Sequence, residues 1–135
     1  MIEDTKLMSG AGSTGMELHL EPGEVQISVL RNGLSDFISA FAATLERQGA
    51  LIGHVKLIAE TDSGFIKMSV VDTELGVETI EETRGSIAHK GRVRVMAAVL
   101  NLTDLEVRQY PEESLEGLSR KVHLHEAGHH CHHED

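Results

Sequence analysis

The stretch GHVKLIAETDSGFIKMSVVD, residues 53–72, carries the clearest fold signal in this chain. Apolar and polar residues alternate on both sides of TDSG, as they do in two strands that each bury one face. TDSG itself contains the residue types that favour a tight turn. The stretch therefore predicts a β-hairpin, with Val55, Leu57 and Ala59 on the buried face of its first strand.

The chain before the hairpin changes its period. MELHL and EVQISVL alternate in character on either side of EPG, which predicts two short strands around a turn. In GLSDFISAFAATLERQG, residues 33–49, the apolar residues recur at intervals of three and four, which is the spacing of one helix face. We expect a helix over residues 35–48, with Ser35 as its cap and Gly49 at its left-handed end.

After the hairpin, GVETIEE and RVRVMAAVLNL predict two more strands, separated by the loop TRGSIAHKG. TDLE offers a capping box between Thr103 and Glu106, but the following residues also alternate like a strand, so residues 103–110 stay open at this point. PEESLEGLSRKV has acids in its first turn and bases in its last, which predicts a short helix over residues 111–122.

This order of elements predicts an α+β fold with a largely antiparallel sheet of about five strands covered by one main helix. A short C-terminal helix and a flexible His-rich tail complete the expected architecture. We expect residues 1–15 to be a flexible N-terminal segment, residues 16–122 a single α+β domain, and residues 123–135 a His-rich metal-binding tail.

Composition narrows the function classes. The 135 residues include 22 acids against 12 bases, a formal charge of −10, and aromatic residues are only 3%. This charge repels phosphate backbones and few aromatic rings are available for base stacking, so we expect no nucleic-acid partner. No apolar run is long enough for membrane insertion, and no secretory signal opens the chain. With a single cysteine as well, a cytoplasmic location is expected.

The last stretch, HLHEAGHHCHHED, holds six of the nine histidines and the only cysteine. Imidazole and thiolate are donors that transition metals prefer, so the tail predicts binding of a divalent transition metal, with nickel as the first expectation and zinc as the second. Because these ligands lie on flexible chain, exchange among several coordination modes is expected, which favours delivery or storage over catalysis. The predicted metal ligands are His123, His125, His129, His130, Cys131, His132 and His133.

Two local patterns in the chain have other interpretations. HEAGH, residues 125–129, resembles the H-E-x-x-H site of membrane-bound ATP-dependent zinc proteases. Proteolysis at such a site needs a buried helix and a further zinc ligand from later in the fold, whereas only six residues follow His129 here. The G-x-G-x-x-G spacing of Gly10, Gly12 and Gly15 is used by dinucleotide sites, which also need a strand before it and a helix after it. A flexible glycine segment is the simpler interpretation. Expression tags are uninterrupted runs of histidine, whereas Leu, Glu, Ala, Gly and Cys interrupt the histidines of this tail. A solvated tail without a metal-binding role stays open as an alternative interpretation.

Residues 123–133 resemble the His-rich ends of nickel accessory proteins such as urease nickel chaperones and hydrogenase-maturation GTPases. The resemblance implies nickel handling and a metalloenzyme or metal-handling protein as partner. It covers the tail alone, because no phosphate-binding G-x-x-x-x-G-K-[ST] occurs in the chain.

Two other function classes remain open from sequence. One is a small-molecule enzyme or sensor, with a cleft lined by His54, Asp62 or Asp72 and an incidental tail. The other is a structural module that forms a homo-oligomer through open strand edges. His19, His54 and His89 are expected to be surface or hydrogen-bonded histidines.

Overall fold

The computed structural model describes residues 11–103, 106–107, 118 and 124–126. The elements whose bounds are described are a helix, α1 (Ile27–Arg47), and eight strands. The strands are β1 (Ala11–Leu20), β2 (Val25–Gln26), β3 (Leu51–Thr61), β4 (Gly64–Val70), β5 (Glu78–Thr83), β6 (Ile87–Ala88), β7 (Gly91–Leu100) and β8 (Leu124–Glu126).

The predicted hairpin is confirmed as β3 and β4, in which Leu57 lies opposite Met68 and Thr61 opposite Gly64. Every neighbouring pair in the sheet is antiparallel, and the strand order is β5-β4-β3-β7-β1, with the short β8 added beyond β1. These five antiparallel strands, extended by the short β8 and accompanied by one helix, confirm the α+β class. The expected C-terminal helix lies outside the described residues except for Leu118, which is helical.

Helix α1 covers one face of the sheet and begins earlier than the sequence indicated. Its buried side chains include Leu30 and Leu34 as well as Phe37 and Phe41, whose ring centroids are 5.9 Å apart. The segment 24–30 was expected to be a strand, but only its first residues are extended. Ile27 continues the helical apolar stripe upstream, which explains the difference.

The two ends of α1 are satisfied in different ways. No side chain caps the first turn; instead the amide of Ile27 donates to the carbonyl of Ser86 at 2.8 Å. At the other end Gly49 has φ of +97°, as expected for the stop residue. The amides of Gly49 and Ala50 bond back to Glu46 and Leu45, which is the Schellman arrangement. Ser35, the expected cap, lies inside the helix.

Strand β1 begins at Ala11, so residues 11–15 are extended in the sheet where we expected flexible chain. A Cβ at Gly12 would overlap the carbonyl of Leu102, whereas one at Gly15 would lie 3.8 Å from the nearest atom. Gly12 thus permits a close approach of two backbones rather than a phosphate-binding turn. Gly10 lies outside the described residues.

Strand β2 also differs from the expectation, because it pairs with β6 in a separate two-stranded sheet rather than with β1. Its partner β6 lies within the expected loop 83–91. The capping box is present: the amide of Thr103 donates to Glu106 at 2.8 Å, and the amide of Glu106 approaches the Thr103 hydroxyl at 3.3 Å. The helical alternative thereby holds for Glu106 and Val107.

The core lies between α1 and the sheet, where the buried faces of β3, β4 and β7 meet the helix stripe. Leu102, Val107 and Leu118 are buried in the same cluster. On the other face of the sheet, Leu51, Ile80 and Leu100 are exposed. Among the described residues, no helix has the length and apolar character needed to cross a membrane.

Candidate functional site

The backbone of the tail is described over three residues, Leu124–Glu126. They form β8, which pairs antiparallel with the end of β1. Leu124 lies opposite Leu20, His125 opposite His19, and Glu126 opposite Leu18. The first part of the tail is therefore joined to the sheet, in a defined register. The other predicted metal ligands lie outside the described residues: His123, His129, His130, Cys131, His132 and His133.

His19 lies on β1 at the register position opposite His125. Its ring Nε2 and the Glu17 carboxylate oxygen Oε2 are 3.0 Å apart, and both side chains are partly exposed, at 47% and 34%. Residues two apart on a strand share one face of the sheet, which explains the contact. The hydrogen bond with His19 is the main cause that lowers the pKa of Glu17, and the charges of Arg92 and Arg94 lower it further.

Charged residues from two neighbouring strands surround this pair. Arg92 of β7 lies opposite His19, and its Nη1 is 3.7 Å from Glu17 Oε2. The same guanidinium donates through Nε to Glu60 of β3 at 3.1 Å, and Arg94 Nη2 is 3.7 Å from that carboxylate. Glu17, His19, Glu60 and Arg92 all line an open depression of about 570 Å³. This exposed polar face is thus accessible to small ions.

A second polar cluster lies at the turn of the β3–β4 hairpin. Asp62 Oδ1 accepts hydrogen bonds from the amides of His89 at 2.9 Å and Lys90 at 3.2 Å, while Oδ2 lies 3.2 Å from His89 Nδ1. The amide of His89 is the largest cause that lowers the pKa of Asp62, which falls to about 2. Glu24 Oε2 is 3.8 Å from His89 Nε2. Asp62 therefore holds the β6–β7 connection against the hairpin.

The structure does not bring together the three residues of the expected cleft. Asp62 lies at the turn of the hairpin, whereas His54 and Asp72 lie at its other end. Asp72 accepts from the amide of Glu74 at 2.9 Å, and its carbonyl accepts from Leu75. Both aspartates thus stabilise turns, and the low pKa of Asp62 has a structural cause. No observation among these residues favours catalysis.

In the part of the chain that the structure describes, no group of three or more His, Cys, Asp or Glu side chains is arranged to hold a metal ion. The pairing of His19 with His125 was missed in the sequence, where His19 looked isolated. The missing information was the strand register between the two ends of the chain, because neither alternation nor spacing indicates which distant strands pair.

Comparisons with models of known protein families, with curated proteins and with solved structures find no match to this chain. Its function is therefore inferred from its own residues.

Proposed function

We propose that this protein is a small metal-binding accessory protein that holds or delivers a divalent transition metal ion through its His/Cys tail. Nickel is the first candidate and zinc the second. The observation that carries the proposal is the concentration of six imidazoles and one thiol within residues 123–133. Imidazole and thiolate donors together favour these metals over magnesium or calcium.

The attachment of the tail to the sheet supports this role. Strand β8 pairs the backbone of Leu124–Glu126 with β1, and the remaining predicted donors follow a few residues later in the sequence. Residues 127–135 contain four of the histidines and Cys131. Donors this close in the sequence have a high effective concentration around an ion that one of them has bound. Exchange of the ion to a partner remains possible because no single closed site is required.

The described polar clusters give less support to an enzyme or sensor. Asp62 and Asp72 are both engaged in turns, and His54 is distant from Asp62. A metalloenzyme or metal-handling protein is the expected partner of the loaded tail, and the exposed sheet face offers a surface for that partner or for a homo-oligomer. A cytoplasmic location, where such partners are found, belongs to the same proposal.

Equilibrium dialysis of the intact chain with nickel and with zinc tests the proposal. The matched variant replaces all of residues 129–133 with serine and keeps Leu124–Glu126, so that β8 can still pair with β1. The control variant, His54→Gln with His89→Gln, removes two imidazoles from the body. We expect the serine variant to lose most of the bound metal and the control to keep it.

Binding by the intact chain should also weaken below about pH 6, because protonated imidazole cannot ligate a metal. If the intact chain binds neither metal, or if the serine variant binds as much as the intact chain, the proposed role of the tail is wrong. Copper is unsuitable as the probe, because its place in the affinity order makes binding to histidine strong whatever the biological role.

A further inference from the structure

The face of the sheet opposite α1, here called the open face, carries apolar side chains among its charged ones. Leu51 of β3 and Leu100 of β7 lie directly opposite each other at one end of this face and are 61% and 51% exposed. Met96, four residues before Leu100 on β7, lies on the same face and is 36% exposed. Neighbouring apolar side chains that stay exposed on one surface commonly mark an interaction site.

The charges on the open face balance one another, unlike those of the whole chain. The alternation of the strands places four bases on this face: Lys56, Lys67, Arg92 and Arg94. It places four acids there as well: Glu17, Glu60, Glu78 and Glu82. The formal charge of −10 therefore comes from residues outside the open face. Two copies of the chain repel each other through their other surfaces, and this repulsion is weakest where two open faces meet.

The edge of the sheet at β5 is a poorer contact for a second copy. Three of the six residues of β5 are glutamates, and pairing this strand with itself brings them close to one another. Like charges on paired strands destabilise the pairing, and charged edge strands are a common protection against it. A second copy is therefore expected on the open face rather than at this edge.

We propose that two copies of the chain pack open face to open face around a two-fold axis. The axis runs parallel to the strands, midway between β3 and β7. Strand β3 of one copy then lies over β7 of the second copy, and β4 lies over β1. Sheets that pack face to face keep their strand directions within about 30° of each other, which this axis permits. The inference does not depend on the proposed metal-binding function.

This axis brings complementary side chains together, because residues that are opposite each other within the sheet also face each other across the interface. Leu51 lies over Leu100 of the second copy, and the two symmetry-related pairs form one apolar cluster. Glu60 binds Arg92 within the chain at 3.1 Å and also lies over Arg92 of the second copy. Four charges of alternating sign thus surround the axis.

Lys67 gains a carboxylate partner in the same arrangement. Within the chain, its ammonium lies 5.3 Å from the ring centroid of Phe65. The register places Lys67, Ile58, Arg94 and Glu17 in one row across β4, β3, β7 and β1. The axis exchanges the two ends of this row, so Lys67 of each copy lies over Glu17 of the other.

The four strands that meet have the area that a dimer needs. Strands β1, β3, β4 and β7 contain 10, 11, 7 and 10 residues. With about 3.3 Å per residue and about 4.8 Å between strands, they present roughly 600 Å² per copy, or about 1,200 Å² in total. This total is at the lower limit of stable interfaces and much of the area is polar, so we expect a reversible dimer with a micromolar dissociation constant.

Sedimentation equilibrium of the full chain, from roughly 1 to 200 µM and with EDTA present, tests the dimer. The chelator prevents metal ions from joining two tails, so the outcome is independent of the metal-binding proposal. Leu100→Glu should raise the dissociation constant at least about tenfold, because it places a charge in the apolar cluster. The matched control, Leu75→Glu, makes the same change between β4 and β5 at a side chain that is 77% exposed, and should stay within about twofold of the parent chain.

A charge exchange tests the axis itself. Lys67 and Glu17 lie three strand spacings apart within one chain, roughly 14 Å, which is too far for an ion pair. Lys67→Glu and Glu17→Lys should each weaken the dimer at least about threefold, because each places like charges opposite each other between the copies. The double variant restores both pairs and should recover most of the lost affinity. Urea unfolding well below the dissociation constant, where the chain is single, checks that each variant is folded.

Three results would overturn the proposal. A chain that stays monomeric over the whole range forms no such dimer, whether the open face binds another protein or a segment of the same chain. Equal dissociation constants for Leu100→Glu and Leu75→Glu would place the contact elsewhere on the molecule. A double variant that dimerises no better than the single variants would refute the axis.

Discussion

The ion pair between Arg31 of α1 and Glu81 of β5 should stabilise the docking of the helix against the edge of the sheet. Arg31 donates through Nε and Nη2 to the two carboxylate oxygens at 2.7 and 2.8 Å. The side chains are only 39% and 19% exposed. Exposed pairs contribute about 0.2–1 kcal/mol, and hydrogen bonds to charged groups about 1.5–3 kcal/mol. For this half-buried bidentate pair we expect a coupling energy of about 1–2 kcal/mol.

A double-mutant cycle measures this coupling, with Arg31→Met and Glu81→Gln singly and together, from the free energy of unfolding in urea. The matched control cycle uses Arg92→Met and Glu60→Gln, whose side chains are 50% and 45% exposed, and we expect about 0.5 kcal/mol or less there. The hydroxyl of Thr83 still reaches Glu81 at 2.9 Å and limits the cost of removing Arg31. A coupling for Arg31–Glu81 no larger than that of the control pair would refute the reasoning.

Three further predictions concern stability. Asp62→Asn should reduce the loss of stability that the parent chain shows between about pH 4 and pH 2. Hydrogen bonds lower the pKa of Asp62 from 3.8 to about 2. The carboxylate therefore contributes to the free energy of unfolding above pH 3.8, and this contribution is lost as the pH falls through the lowered pKa. Urea midpoints across this pH range check it, and a curve parallel to that of the parent chain would contradict it. Gly12→Ala should destabilise the protein by about 1–3 kcal/mol, because the added Cβ would overlap the backbone of Leu102. Gly15→Ala, where a Cβ has room, should be neutral or stabilising. Equal thermal midpoints for the two variants would show that the close backbone approach at Gly12 is unimportant. Phe41→Ala should lower the free energy of unfolding in urea by about 3–5 kcal/mol, because the ring is fully buried. Ser39→Ala, at an exposed position of the same helix, should lower it by less than about 0.5 kcal/mol. Similar values for both variants would mean that Phe41 lies outside the core.

The parts of the fold that the sequence predicted well are those set by local patterns. The alternation in residues 53–72 reflects a hairpin whose strands are joined by a turn, so pairing and register follow from neighbouring residues. The capping box of Thr103 and Glu106 is equally local. The left-handed conformation of Gly49 follows from the end of the apolar helix stripe. In each case one short stretch contains both interacting partners.

The errors arose where two patterns overlapped or where the partner was distant. Ile27 and Val29 alternate like a strand, yet Ile27 also fits the helical stripe, and burial against the sheet decided for the helix. The pairing of β2 with β6 depended on a loop some sixty residues away. For the candidate site, composition predicted metal donors in the tail, including His125, and these stay predictions. It gave no reason to place the backbone of His125 opposite that of His19, because this pairing depends on the register of β1 with β8.

The position of β1 between β7 and β8 has a consequence for how the molecule folds. Leu18 pairs with Val93 on one side and with Glu126 on the other, so both neighbours of β1 come from residues much later in the sequence. The β3–β4 hairpin closes over a few residues and can form early, but pairings that span such separations slow folding through the entropy of loop closure. During synthesis, β1 therefore cannot form either of these pairings until the residues of β7 have emerged from the ribosome, and its pairing with β8 follows later still.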